Sequence, residues 1–199
     1  DRVLRKSIES GQIPSIILWG PPGSGKTTLA NIVARITNSH FTPISAVSAG
    51  VADLRKAIEE AVERRKLHHQ KTILFIDEIH RFNKAQQDAV LPFVEDGTIS
   101  LIGATTENPS FAIIAPLLSR SRVFTLKPLT NEEIEVIPQR ALKDKERGLG
   151  ALNVEIDSDA IKGLVEASGS DARVALNALE ITAVNTLPAA NGKRRITVA

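Results

Sequence analysis

The 199-residue sequence predicts an α/β fold: a parallel sheet of five short strands with helices on both faces, followed by a small helical domain. Three observations predict it. Five short apolar runs, at 15–19, 41–45, 71–77, 100–104 and 123–126, alternate with helix-like segments. That is the pattern of a parallel sheet covered on both faces. The first run breaks abruptly into glycine and proline before a helical pattern resumes, and after Pro128 the strand pattern stops and three helical patterns follow.

Each element has its reason. SIILW (15–19) is a short apolar run and reads as a buried strand, and 26–38 reads as a helix. FTPIS (41–45) is a weaker strand, with Pro43 pointing to a sheet edge or an irregularity. In 51–66, Leu54, Ala57, Ile58, Ala61 and Val62 fall on one helical face. KTILFID (71–77) is a second buried strand. The helix at 84–95 carries Pro92, which is expected to kink it or end it early. SLIGA (100–104) and VFTL (123–126) complete the sheet. Residues 130–148, 158–168 and 171–187 read as helices. A boundary near residue 128 therefore separates an α/β domain, 1–128, from a helical domain, 129–199. The tail PAANGKRRITVA reads as a connection to further sequence, its KRR run (193–195) as a solvated linker. The chain, which contains no methionine, reads as a portion of a longer protein.

Composition narrows the chemistry. Hydrophobic residues make up 42% and charged residues 24%, an ordinary globular balance. No apolar run approaches the ~20 residues of a membrane span. With no cysteine, disulfides and thiolate metal sites are excluded. A net charge of +2 permits nucleic-acid contact without arguing for it, and 4% aromatic residues give little support to a base-stacking platform. His68 and His69 lie in a charged stretch without further metal ligands nearby and read as a solvated loop. His80 and Arg81 read as the start of the link to the next helix and could relay nucleotide state, by a route the sequence does not show.

Three segments carry chemistry. Gly20–Thr27, GPPGSGKT, matches G-x-x-x-x-G-K-[ST] between a strand and a helix. Gly20, Pro21, Pro22, Gly23, Ser24, Gly25, Lys26, Thr27 and Thr28 are therefore expected to bind a nucleotide. Glycines let successive N–H groups curl around phosphate oxygens, and the helix N-terminus faces the same anion. Lys26 reaches the β- and γ-phosphates and Thr27 ligates Mg²⁺. In ILFIDEIH, the strand ends in Asp77, which would hold Mg²⁺, and Glu78, which would polarise the attacking water. In LIGATTENP, a third strand ends in Thr105, Thr106, Glu107 and Asn108. These could orient that water or simply form a turn, and spacing favours neither.

Together these segments resemble the AAA+ ATPases. GPPGSGKT, ILFIDE, GATTEN, LLSRSR and GSDARVALN occur in that superfamily's order. The stretches FIDEIHRFNKAQQDAVLPFVEDGTISLIGATTENPSF and LLSRSRVF resemble, more narrowly, the replication-associated recombination protein A family, which includes the Werner-helicase-interacting protein of eukaryotes. The likeness runs from about Ile13 to Leu187. It implies a P-loop NTPase sheet with a helical lid. It implies Arg120 as the arginine finger acting on a neighbouring subunit, with Arg122 the competitor. Thr106 takes the sensor-1 position, with Asn108 second, and Arg173 takes sensor 2. It also implies a base-contacting segment ahead of the phosphate loop, a C-terminal tetramer-forming region, and a homo-oligomer.

The expected function is a Mg²⁺-dependent ATPase acting on DNA in fork maintenance, recombination and repair. DNA junctions or forks and replication or single-strand-binding proteins are its expected partners, with no membrane. The alternatives are a nucleotide-gated assembly module with slow hydrolysis, or a clamp-loader or branch-migration subunit. The location implied is cytoplasmic and nucleoid-associated in a bacterium, nuclear in a eukaryote.

Overall fold

In the computed structural model, which describes residues 13–198, the first unit of structure is built on five strands. They are β1 (Ser15–Trp19), β2 (His40–Ser45), β3 (Thr72–Asp77), β4 (Ile99–Thr105) and β5 (Ser121–Thr125). All pair in parallel, in the order β2-β3-β4-β1-β5. Between them run α1 (Lys26–Ile36), α2 (Val51–His68), α3 (Lys84–Glu95) and two short helices, α4 (Pro109–Ala112) and α5 (Ala115–Ser119).

The alternation of the strands decides the core. Ile16 and Leu18 of β1, Ile73 and Phe75 of β3, and Ile102 and Ala104 of β4 pack on one face with Ala30, Val33 and Ala34 of α1. Ile17, Leu74, Ile76, Ile99 and Leu101 point the other way, onto Leu54, Ala57, Ile58 and Ala61 of α2 and Val90 of α3. Both faces are therefore dry, which is why these strands read as unbroken apolar runs. Pro43 lies in β2, an edge strand, where a missing N–H costs no ladder bond on the open side.

Two sequence expectations need correction here. Pro92 does not end α3, which continues to Glu95. Proline sits in the final turn and forfeits a single bond there, and Pro92's own carbonyl accepts the N–H of Asp96. β5 begins at Ser121 rather than 123 and β4 extends to Thr105.

The described residues cluster into two compact units, one of 13–20 with Gly25–Leu126, the other of 127–198 with Pro21–Ser24. The second unit holds α6 (Asn131–Lys143), β6 (Val154–Ile156), α7 (Ser158–Ala167), α8 (Ala172–Asn185) and β7 (Arg194–Ile196). Ile134, Ile161, Val165 and Ala175 form one buried cluster, and Leu179, Ala183 and Ile196 another. The helix expected to reach residue 148 stops at Lys143. The Asp144 carboxylate accepts the N–H groups of Glu146 and Arg147, a local turn that competes with the helix.

The KRR run is not a solvated linker. Arg194–Ile196 pairs with β6 in a two-stranded parallel sheet. Arg194 donates to the carbonyls of Ala183, Val184 and Thr186 at the end of α8, a favourable place for a cation. Arg195 forms a two-pronged bond to Asp157 at 3.1 Å, and Lys193 pairs with Glu155.

Candidate functional site

Parallel strands bring their C-terminal ends to one edge of the sheet. Here β4 lies between β3 and β1, so three loops stand side by side on that edge. Gly20 follows β1, Asp77 and Glu78 end β3, and Thr105–Asn108 end β4. The connections leaving β1 and β4 run in opposite directions across the sheet. That makes the pair a topological switch point, where α/β sheets bind ligands.

The loop after β1 has the backbone of an anion cradle. Gly25, with φ 83°, is left-handed and immediately precedes α1. A side chain there would strain the turn that opens the helix. No side-chain hydrogen bond caps α1 at Gly25, and the N-terminus of a helix carries the positive end of its dipole. Lys26 is buried, and its Nζ donates to the carbonyl of Gly20 at 2.8 Å, folding the ammonium back across the loop. Ser24 closes the turn by donating to Pro21 O at 2.8 Å. Thr27 and Thr28 are exposed at the start of α1, and Pro22 is exposed in the loop. Trp19 donates Nε1–H to Thr106 O at 3.4 Å, and Gly20 N–H bonds Thr105 O, so the loop's root is fastened to the end of β4.

Among the described residues no group of three or more His, Asp or Glu is placed to hold a metal alone. Asp77 and Thr27 suit Mg²⁺, which keeps several waters and takes one or two protein oxygens plus substrate phosphates.

Glu78 is left-handed, with φ 55° and ψ 43°, and opens a tight 3₁₀ turn over Ile79–Arg81. That backbone state costs a non-glycine residue about 1–2 kcal/mol. Its carboxylate is held by His80, whose Nε2 lies 3.1 Å from Glu78 Oε2 and 3.7 Å from Glu107 Oε1. The other ring nitrogen, Nδ1, lies 3.0 Å from the hydroxyl of Thr105, a fully buried residue. Sequence reasoning took His80 as the start of the link to the next helix, with a relay of nucleotide state as a further reading but no partner for it. Its signal was the odd-numbered face of β4, which puts Thr105 on the same side as Leu101 and the turn.

The two candidates at the end of β4 differ in their engagements. Thr106 is half-buried, and its carbonyl takes the Trp19 bond. Asn108 accepts the N–H of Ser110 and so caps α4.

Arg120 lies elsewhere. It directly precedes β5, whose Ser121 pairs with Ser15 at the start of β1. It therefore stands at the opposite edge of the sheet from Gly20, a strand length or roughly 15 Å away. Arg120 Nη2 pairs with Glu95 at 2.6 Å, and Nη1 donates to Pro116 O at 2.9 Å. Both lie on a polar hollow of about 600 Å³ at that edge. Arg122 lies within β5, exposed on the sheet's outer strand. In the second unit, Arg173 occupies the first turn of α8, mostly exposed, with Nε 3.7 Å from the Asp171 carboxylate that caps the helix.

Comparison with known proteins gives a consistent picture. Residues 16–129 match the family model described as "ATPase family associated with various cellular activities (AAA)". The chain is 51% identical over 191 residues to replication-associated recombination protein A of Haemophilus influenzae, covering 96% of this chain and 43% of that protein. It is 50% identical over 182 residues to ATPase WRNIP1 of Dictyostelium discoideum, covering 91% of this chain and 20% of that one. Among solved structures, the Thermotoga maritima RuvB Holliday junction branch migration motor superposes with a TM-score of 0.69 at 29% identity. The match covers 89% of this chain and 57% of RuvB. The chain spans less than half the length of these two curated relatives.

Proposed function

Because the chain belongs to the AAA family of ATPases, we propose that it binds ATP at the C-terminal edge of its sheet and hydrolyses it with Glu78 as the general base. The observation that carries this is the meeting of three loops on one edge: a phosphate cradle, an acidic pair and a polar strand end.

The chemistry follows from charge. The loop N–H groups, the α1 N-terminus and Lys26 offset the negative phosphates without reorganising. Asp77 and Thr27 would hold Mg²⁺, which when bound neutralises charge on the β- and γ-phosphate oxygens. Glu78 accepts a proton from water as its oxygen bonds the γ-phosphorus. The bond to the β-phosphate oxygen breaks, and ADP and phosphate leave. Thr106, or Asn108, would orient that water, and Arg173 would touch the same nucleotide.

Arg120 acts in a neighbouring copy. At the far edge of the sheet it is out of reach of its own chain's phosphate loop, so a guanidinium role needs a second subunit. Its permanent charge and planar fork suit phosphate oxygens. The names of the relatives, a replication-associated recombination protein and a branch migration motor, support DNA as the polymer worked on and a homo-oligomer as the working form. A nucleoid or nuclear location goes with that substrate.

The test is ATP turnover and nucleotide binding in wild type and Glu78→Gln. The expected result is binding unchanged and kcat lowered ~10²–10⁴-fold, the range for losing a general base. Equal turnover would remove Glu78 from this role.

A further inference from the structure

Resting on the assignment of Glu78 as base, we infer that His80 is the residue that positions it, through a one-way hydrogen-bond relay from the end of β4. The side chain of His80 is 5% exposed, and both ring nitrogens are engaged. An ionised carboxylate only accepts hydrogen bonds, so Nε2 must carry the proton that faces Glu78. With the ring neutral and Nε2 protonated, Nδ1 is the acceptor and the Thr105 hydroxyl its donor at 3.0 Å; the same hydroxyl also lies 3.3 Å from the Glu107 carbonyl, the longer of its two contacts with an acceptor. Thr105 Oγ1 in turn accepts the N–H of Glu107 at 3.0 Å. The relay therefore runs from the Glu107 N–H to the Thr105 hydroxyl, to His80, to Glu78. Each bond polarises the next in the same direction.

The fold is shaped for this. Gly103 stands on the same face of β4 as Thr105, two residues earlier. A Cβ there would lie 2.9 Å from Ile17 Cδ1 and 3.0 Å from Ile79 Cδ1. Its absence lets the Ile79–Arg81 turn settle against the strand, which brings His80 onto Thr105. The relay also holds Glu78 in its left-handed backbone state, while 35% of the Glu78 side chain stays open to water. Thr105 pairs in register with Trp19, the residue before the phosphate loop. His80 thus ties the base to the strand that separates it from the nucleotide cradle. It acts on the reaction through the Glu78 carboxylate, so it is a positioning residue.

The test uses the full-length protein, with kcat and nucleotide affinity measured separately for His80→Ala, His80→Gln, Thr105→Val and Glu78→Gln. Positioning predicts that His80→Ala lowers kcat ~10–100-fold with nucleotide affinity within about twofold of wild type. Glutamine, which can still donate to Glu78, should recover part of the loss. His80→Ala should add nothing to Glu78→Gln, because a positioning residue has no effect once the group it positions is gone. Should His80→Ala not fold, Thr105→Val, which removes the donor to Nδ1 together with the local bonds to Glu107, must show the same fall in kcat at constant affinity. An unchanged or raised kcat in the folded variant, or a further slowing on top of Glu78→Gln, overturns the inference while leaving the base assignment intact. Equal turnover in wild type and Glu78→Gln sinks the base assignment itself.

Discussion

At the scale of single residues, charge and its partners set the expectations. Lys26 is buried against the loop it serves. Lys26→Ala should weaken ATP binding at least tenfold while leaving the fold intact, as read by nucleotide titration of Trp19 fluorescence. Unaltered affinity would place the phosphates elsewhere. Arg120 is pinned by Glu95 in its own chain, an exposed pair worth no more than about 1 kcal/mol. Subunit contact can therefore free the guanidinium at small cost. Arg120→Ala should leave nucleotide affinity unchanged and cut turnover of the assembled protein by ~10³-fold or more, the scale of a finger supplied in trans. Arg122→Ala should change turnover little, and the reverse pattern would exchange the two assignments. The phosphate-loop residues and the acidic pair were legible in sequence because each is announced by spacing beside an apolar strand. The pairings of Glu95 with Arg120 and of Thr105 with His80 were not, since the partners lie 25 residues apart along the chain and meet only once the sheet is formed.

At the scale of elements, the fold was largely legible where periodicity is strong and faint where short pieces lean on tertiary contacts. The three central strands, β1, β3 and β4, carry apolar runs dictated by burial on both faces, whereas the edge strands β2 and β5 are largely open. β6 and β7, three residues each, have no such run and exist because each supplies the other's ladder. Ile196 is their buried anchor. Ile196→Ala should destabilise the helical unit by about 2–4 kcal/mol in chemical denaturation; a loss below 0.5 would return the tail to a solvated linker. The start of β2 offers a pH probe. Burial, then the Arg64 guanidinium, hold His40 below its ordinary value of 6.5. The folded state thus favours the neutral ring. Its contribution is complete above 6.5 and is lost as pH falls below it. His40→Gln should flatten the decline of stability as pH falls below 6.5, and an unchanged slope would assign that decline to other groups.

At the scale of the whole molecule, the proposed function puts complementary halves of a site on the two edges of one sheet. The C-terminal edge holds the phosphate cradle and Glu78, and the opposite edge holds Arg120. Under that proposal one copy alone would not bring them together, whereas two copies in head-to-tail contact would, and a closed ring of such contacts would give every subunit a complete site. Among the described residues no helix is long and apolar enough to cross a membrane. The measurement that tests this account most directly mixes two inactive full-length variants. Glu78→Gln keeps the arginine and lacks the base; Arg120→Ala keeps the base and lacks the arginine. Mixed subunits should regain ATP turnover, greatest near equal proportions, because a Glu78 site then meets an Arg120 from its neighbour. Turnover that never exceeds the sum of the two variants, in a mixture shown to co-assemble, would contradict a base and an arginine finger shared between subunits.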